Sequence, residues 1–126
     1  MNKLLIIVGL GGFLGTVARF LSQQLVYKLY PVVFPYGTLV VNITGCFLIG
    51  IFYALSERGN VLSPDWRMFL TTGFCGGFTT FSAFTYESVQ LINNKDYLYL
   101  AIYASVSVAA GIAATFAGIW LTKSIA

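Results

Sequence analysis

The chain has 126 residues, of which 58% are hydrophobic and only 9% charged, and its mean hydropathy is +0.83. Soluble domains carry about 25% charged residues, so this composition indicates a membrane protein. A helix needs about 20 apolar residues to cross the hydrocarbon core, so the length allows about four crossings and leaves no room for a nucleotide-binding or catalytic domain. The net charge of +3 is too small and too scattered to indicate a nucleic-acid partner.

The first two predicted spans lie on either side of a turn that contains proline. Residues 4–27 carry Arg19 as their one charge, and this length and composition favour a membrane-spanning helix. Pro31 and Pro35 predict the end of that helix, because proline disfavours helix at the residue before it. The second span is then expected at residues 37–56.

The third predicted span combines membrane character with residues that disfavour helix. Pro64, following a serine that can cap the helix, predicts its start, and the span covers residues 66–92. Within it, the segment TTGFCGGFTTFSAFT at residues 71–85 contains three glycines and six hydroxyl side chains, which weaken helical backbone bonding. We expect the helix to be interrupted at the glycines. Non-helical backbone at membrane depth often forms the ion site of a transport protein.

Residues 97–122 form an uncharged fourth span. The predicted fold class is therefore an all-α membrane protein, with four transmembrane helices of which the third is broken, in a single domain that covers residues 1–126. Cys46 and Cys75 lie in apolar segments and are expected to act as small buried hydrophobic residues. The chain has no histidine, the commonest metal ligand.

With four crossings, the cations divide almost evenly between the two sides of the membrane: Lys3, Arg58, Arg67 and Lys123 on one side, and Arg19, Lys28 and Lys95 on the other. Orientation normally follows an excess of Lys and Arg in cytoplasmic loops. The near balance is compatible with a single, weakly biased orientation and equally with insertion in both orientations. Since no internal repeat is present, an antiparallel homodimer would supply the symmetry that many transporters obtain from inverted repeats.

Several side chains within the spans are candidates for an ion pathway. Arg19 either snorkels to the surface or collects anions at a pore mouth. Asn42, with Thr38 four residues earlier on the same helical face, either bonds to another helix or donates N–H groups to an anion. Phe81 and Phe84 are aromatic residues of the kind that usually pack, but their positive ring edges also suit a small anion.

In the fourth span, Tyr103, Ser107 and Thr115 share a helical face that Gly111 interrupts, and their hydroxyls are candidates for a polar track. Glu87 is the one carboxylate well inside an apolar stretch, where it suits a proton or cation site or a water-filled helix end. These residues leave the sign of the ion open. Carbonyls at the interruption favour a cation, whereas the amide, hydroxyls and phenyl edges favour an anion.

Three motifs, GGFLGTVARF, PYGTLVVNITGCFLIG and TTGFCGGFTTFSAFTYE, resemble those of the Fluc fluoride channels, also called CrcB proteins. The resemblance covers all four spans. It implies a non-enzymatic channel in the inner membrane of a bacterium, which exports fluoride passively through two pathways in an antiparallel, dual-topology homodimer. It also implies a structural sodium ion at the dimer centre, bound by the backbone carbonyls of Gly76 and Thr79.

The same resemblance implies that fluoride passes the side chains of Arg19, Asn42, Phe81, Phe84, Tyr103 and Ser107. Thr38 is added to this predicted pathway because it shares the helical face of Asn42. The sequence departs from the family at Gly111, where relatives can carry a hydroxyl. Two other functions stay open. One is a small proton-coupled multidrug-type antiporter that uses Glu87, and the other is an accessory subunit with no transport of its own.

Overall fold

The computed structural model describes residues 2–58 and 61–125, and within them all regular secondary structure is helical, without β-strands. In chain order its elements are α1 (Asn2–Leu29), α2 (Tyr36–Ser56), α3 (Pro64–Met68), a π-helical segment (Phe69–Cys75), α4 (Gly76–Phe78), α5 (Phe81–Asn93) and α6 (Tyr97–Ser124). Three of these helices, α1, α2 and α6, are long and apolar enough to cross a membrane. The structure therefore confirms that the chain is helical and that it has helices able to cross a membrane.

Two pairs of helices approach each other closely at glycines. A Cβ atom on Gly50 of α2 would overlap the carbonyl oxygen of Thr115 in α6, and one on Gly118 of α6 would overlap the carbonyl oxygen of Phe47 in α2. Close approach of this kind lets backbones make van der Waals contact inside a bilayer, where lipid removes the hydrophobic drive for helix association. These glycines hold α2 against α6 along their length.

The other close pair joins α1 to the segment in which the interruption was expected. A Cβ on Gly11 would meet the carbonyl oxygen of Phe69 at 2.5 Å, and one on Gly15 would overlap that of Phe74. A Cβ on Gly77, in α4, would lie 2.5 Å from the carbonyl oxygen of Gly12. The small residues of GGFLG therefore let α1 pack closely against these helices.

The predicted interruption at the glycines was wrong in its position. Gly73, Gly76 and Gly77 are all helical, and helical geometry ends only at Thr79 and Thr80. The glycines are required because α1 passes too close for a side chain, and this packing outweighs their weak helix propensity. The predicted start of the region is confirmed, since Ser63 caps α3 by accepting a hydrogen bond from the Trp66 N–H.

Much of the apolar surface of α1 and α6 faces outward. In each helix only 11% of the most hydrophobic stretch is buried within the chain, and large side chains such as Phe13, Phe116 and Trp120 are more than half exposed. An apolar surface this large is stable only where lipid or other protein covers it.

Replacement of Gly15 by Ala tests the packing of α1. Because the added methyl group would overlap backbone rather than a movable side chain, we expect Gly15→Ala to lower the free energy of unfolding by about 1–3 kcal/mol. Thermal unfolding of the detergent-solubilised protein, followed by tryptophan fluorescence, measures the change. Gly9→Ala, on the same helix with open space around the new methyl group, is the control and should be neutral or slightly stabilising. Equal effects of the two substitutions would contradict the packing argument.

Candidate functional site

The extended residues Thr79 and Thr80 are the centre of the candidate site. Their backbone angles are φ −91°, ψ 158° and φ −150°, ψ 113°. The Thr79 hydroxyl donates to the carbonyl oxygen of Cys75 at 2.9 Å, and the Thr80 hydroxyl accepts from the Ala83 N–H at 3.1 Å. The first bond closes the helix before the interruption, and the second caps α5. Both residues therefore stabilise an interruption rather than a continuous helix.

Asn42, on α2, holds the backbone of the interruption with both ends of its amide. Its Oδ1 accepts from the Thr80 N–H at 2.8 Å, and its Nδ2 donates to the Thr80 carbonyl oxygen at 3.1 Å. Of the two interpretations of Asn42 from the sequence, the bond to another helical segment is thus observed. Asparagine carries two N–H donors, so one stays available after this pairing.

Arg19 reaches the same region from α1. Its Nε donates to the carbonyl oxygen of Gly77 at 3.0 Å. Among the described residues, no hydrogen bond reaches the neighbouring carbonyl oxygens of Gly76 and Thr79. Gly76 is also exposed, and a Cβ built on it would have no atom within 4 Å. The interruption therefore presents carbonyls without a hydrogen bond among the described residues, including those of Gly76 and Thr79, and Gly76 lies on an open surface.

A cavity of about 360 Å³ lies beside the interruption. Its lining combines small, hydroxyl-bearing and aromatic residues: Asn42, Gly45, Cys46, Ile49, Thr71, Cys75, Gly76, Thr79, Thr80, Phe81, Phe84, Ser107 and Val108. None of these residues carries a charge. The interruption brings the candidates from α2, α5 and α6 together in this one cavity.

The aromatic candidates line this cavity in different environments. The two rings of Phe81 and Phe84 are 5.8 Å apart between centroids. Phe81 is 76% exposed, whereas Phe84 packs on the ring of Tyr103 with centroids 5.0 Å apart. On α6, the hydroxyl oxygen of Ser107 is buried and has no hydrogen-bond partner within the described residues. A buried hydroxyl without a partner is costly, so this atom is suited to a polar ligand in the cavity.

A second cavity, of about 410 Å³, lies at the end of the chain of hydrogen bonds that begins at Arg19. The guanidinium bonds to Gln23 at 3.4 Å, Gln23 donates to the Thr38 hydroxyl at 3.2 Å, and Thr38 in turn donates to the Glu87 carboxylate. Tyr103 completes the chain with its hydroxyl 3.4 Å from the same carboxylate oxygen.

The sequence candidates thus fall into two groups that meet at Tyr103, which contacts Phe84 on one side and Glu87 on the other. Thr38 belongs with Glu87 in the second cavity rather than with Asn42 in the first. Gln23 was missed by the sequence analysis. Its position four residues after Arg19, on the same helical face, was the available signal.

Helices able to cross a membrane, an interrupted helix with uncommitted carbonyls, and an uncharged, mainly apolar cavity beside it are features of multi-pass membrane proteins that transport ions. The profile of the family described as "CrcB-like protein, Camphor Resistance (CrcB)" matches residues 6–119. The chain belongs to this family.

Its curated relatives match over nearly their whole length and are named "Fluoride-specific ion channel FluC". One from Leptospira interrogans is 41% identical over 123 residues, which is 98% of this chain and 97% of the relative. One from Flavobacterium psychrophilum is 43% identical, with 98% and 99% covered, and one from Chlorobium phaeobacteroides is 45% identical, with 94% and 92% covered. The family is thus one of ion channels rather than enzymes.

Replacement of Asn42 by Ala tests its hold on the interruption. Both polar groups of the Thr80 backbone would lose their partner, and each unsatisfied group costs about 1–3 kcal/mol. We expect Asn42→Ala to lower the free energy of unfolding by about 2 kcal/mol or more and to speed amide exchange at Thr80, measured by hydrogen–deuterium exchange. Asn93→Ala, at the exposed end of α5, is the control. Unchanged exchange at Thr80 would refute the role given to Asn42.

Proposed function

We propose that this protein is a fluoride-selective channel that lets cytoplasmic fluoride leave passively across the inner membrane of a bacterium. Near full-length similarity to relatives named fluoride-specific ion channels supports this substrate. The observation that carries the proposal is the uncharged cavity of about 360 Å³, which is lined by two phenyl rings and by Ser107, whose buried hydroxyl has no partner among the described residues.

The lining of this cavity suits a small, strongly hydrated anion. The Ser107 hydroxyl, the second N–H of Asn42 and the positive edges of Phe81 and Phe84 are donors that carry no full charge. They replace part of the water shell of fluoride without binding the ion so tightly that it cannot leave, which conduction requires. The absence of a carboxylate among the lining residues removes the nearest source of repulsion.

The proposed pathway joins the two cavities through Tyr103. The larger cavity, where fluoride enters, is lined by Gln23, Thr38 and Glu87. The guanidinium of Arg19, which is bonded to Gln23, attracts anions and offsets the charge of the Glu87 carboxylate. Fluoride then passes the buried Tyr103 and continues to Phe84 and Ser107 in the smaller cavity. Movement is down the electrochemical gradient and needs no covalent step.

The working unit of this proposal is an antiparallel homodimer with two pathways, in which residues 64–93 form a third, broken crossing. The near balance of cations supports dual topology, and the open surface at Gly76 offers a place for the partner chain. Each pathway would then take Phe81 from one chain and Phe84 from the other, which the exposure of Phe81 allows. The large apolar surface of α1 and α6 leaves area for both lipid and a second chain.

A sodium ion at the dimer centre fits the carbonyls that are present. Gly76 and Thr79 each offer an oxygen with no hydrogen bond within the described residues, and Arg19 bonds to the carbonyl of Gly77, next to Gly76 in the sequence. Hard cations prefer such oxygen ligands. Two carbonyls from each of two chains would hold the ion, and its charge would offset part of the cost of anions at low dielectric.

A proton-coupled antiporter is the second candidate function, because Glu87 faces the larger cavity and bonds with both Thr38 and Tyr103. A membrane-embedded carboxylate in such a position is typical of proton relays. Proton coupling separates the two functions, since a passive channel moves fluoride in response to voltage alone.

Halide efflux from proteoliposomes tests the channel proposal. Vesicles loaded with potassium fluoride or potassium chloride are triggered with valinomycin and followed by an ion electrode. We expect fast fluoride loss and no chloride loss. Phe81→Ile should slow fluoride loss at least tenfold, since isoleucine keeps bulk without the polarised ring edge. Phe116→Ile, at an aromatic residue 68% exposed on α6, is the matched control and should conduct normally.

No fluoride loss from folded protein would contradict the channel proposal and favour the accessory subunit, whereas loss that requires a proton gradient would favour the antiporter.

Dual topology predicts two-sided labelling of the turn between α5 and α6. Asn94 is exposed there, so Asn94→Cys should react with a membrane-impermeant maleimide both from outside intact cells and, in the remaining fraction, only after permeabilisation. The unsubstituted chain, with Cys46 and Cys75, gives the background. Labelling from one side alone would exclude an antiparallel dimer.

A further inference from the structure

The hydroxyl-bearing face of α6 has a gap at Gly111. Ser107 lies one turn before this glycine and Thr115 one turn after it. The Thr115 hydroxyl is already committed, because it donates to the carbonyl oxygens of Cys46 at 3.1 Å and of Gly111 at 3.2 Å. On α6 itself, the polar face open to the cavity therefore stops at Ser107.

A thiol from α2 fills the gap. The sulfur of Cys46 lies 3.4 Å from the position that a Cβ atom on Gly111 would take. Cys46 and Ser107 line the same cavity, next to the interruption, and Cys46 is not fully buried. The bond from Thr115 to the Cys46 carbonyl fixes this part of α2 against α6. The thiol thus lies in contact with the place that a side chain of residue 111 would take.

We propose that the Cys46 thiol takes the place of the missing hydroxyl at Gly111 and is the next donor to fluoride after Ser107. This inference rests on the proposed channel function. A thiol is a weak donor with no charge, the same kind of group as the other donors that line the cavity. The alternative is that Cys46 is only a small apolar residue that fills space.

Three substitutions of Cys46 separate a donor from a filler. Cys46→Val keeps the volume without a donor, Cys46→Ser keeps a donor in a smaller side chain, and Cys46→Ala removes both. Loss of a weak S–H interaction of about 0.7 kcal/mol corresponds to about threefold slower fluoride efflux. We expect at least this slowing for Val and Ala, and efflux near the wild-type rate for Ser. Ser105→Ala, on the exposed side of α6, is the control.

A double variant tests the exchange of positions directly. In Cys46→Ala the sulfur no longer occupies the space beside residue 111, so adding Gly111→Ser should return a donor to the track and restore efflux. A filler role predicts that Gly111→Ala in the same Cys46→Ala background restores efflux as well as Gly111→Ser does, because its methyl group also occupies space that the lost sulfur leaves. A donor role predicts recovery with the serine alone. All variants are compared as folded protein of the same size in detergent.

The outcomes for this inference and for the proposed function differ. If the wild-type protein conducts fluoride and Cys46→Val conducts equally fast, the thiol is a filler and the inference is wrong. If the wild-type protein itself does not conduct, the proposed function is wrong, and the inference about Cys46, which rests on it, is wrong as well. Slow efflux in Cys46→Val with recovery in Cys46→Ser and, of the two double variants, only in the one with Gly111→Ser would establish the donor role.

Discussion

Two residues of extended backbone in an apolar molecule impose the constraint on which the site depends. Outside a helix, the N–H and C=O groups of Thr80 have no partner along the chain, and leaving them unsatisfied in such surroundings costs several kcal/mol. The amide of Asn42 satisfies both groups at once. Because the same interaction ties α2 to the start of α5, it also sets where Phe81 and Phe84 stand relative to the cavity. The interaction that stabilises the interruption therefore also determines the shape of the candidate pathway.

The approach of α1 supports this arrangement from the other side. Glycines in α1 and in the segment before the interruption bring the two backbones together, so that Arg19 is near enough to bond the Gly77 carbonyl. One consequence is electrostatic, since a positive group stands beside the helix end that carries uncommitted carbonyls and negative partial charge. A second is positional, because the same arginine begins the chain of hydrogen bonds that reaches Glu87. The close packing of glycines thus connects the interruption to the larger cavity.

The long helices could be predicted from the sequence because their limits are set locally, by charges, prolines and a cap. The predicted spans 4–27 and 97–122 lie within α1 and α6. The interruption was predicted in the right segment but at the wrong residues, since glycine was taken for a helix breaker where its role is to admit α1. The hydrogen-bond partners of the side chains were harder to predict than the helices. Asn42 bonds to Thr80, which is 38 residues away, and Gln23 bonds to Thr38 from another helix, and no local pattern encodes such pairs.

The sequence by itself determined that the chain is a helical membrane protein, and its motifs indicated the family, because composition, length and ordered motifs need no knowledge of contacts. Only the tertiary structure decided that Thr38 and Asn42, neighbours on one face of α2, serve different cavities. It likewise decided that the sulfur of Cys46, on another helix, lies beside Gly111. The physical reason is the same in both cases. A side chain's chemistry belongs to the residue, but its partners are set by the helices that pack against it, and those contacts join residues far apart in the chain.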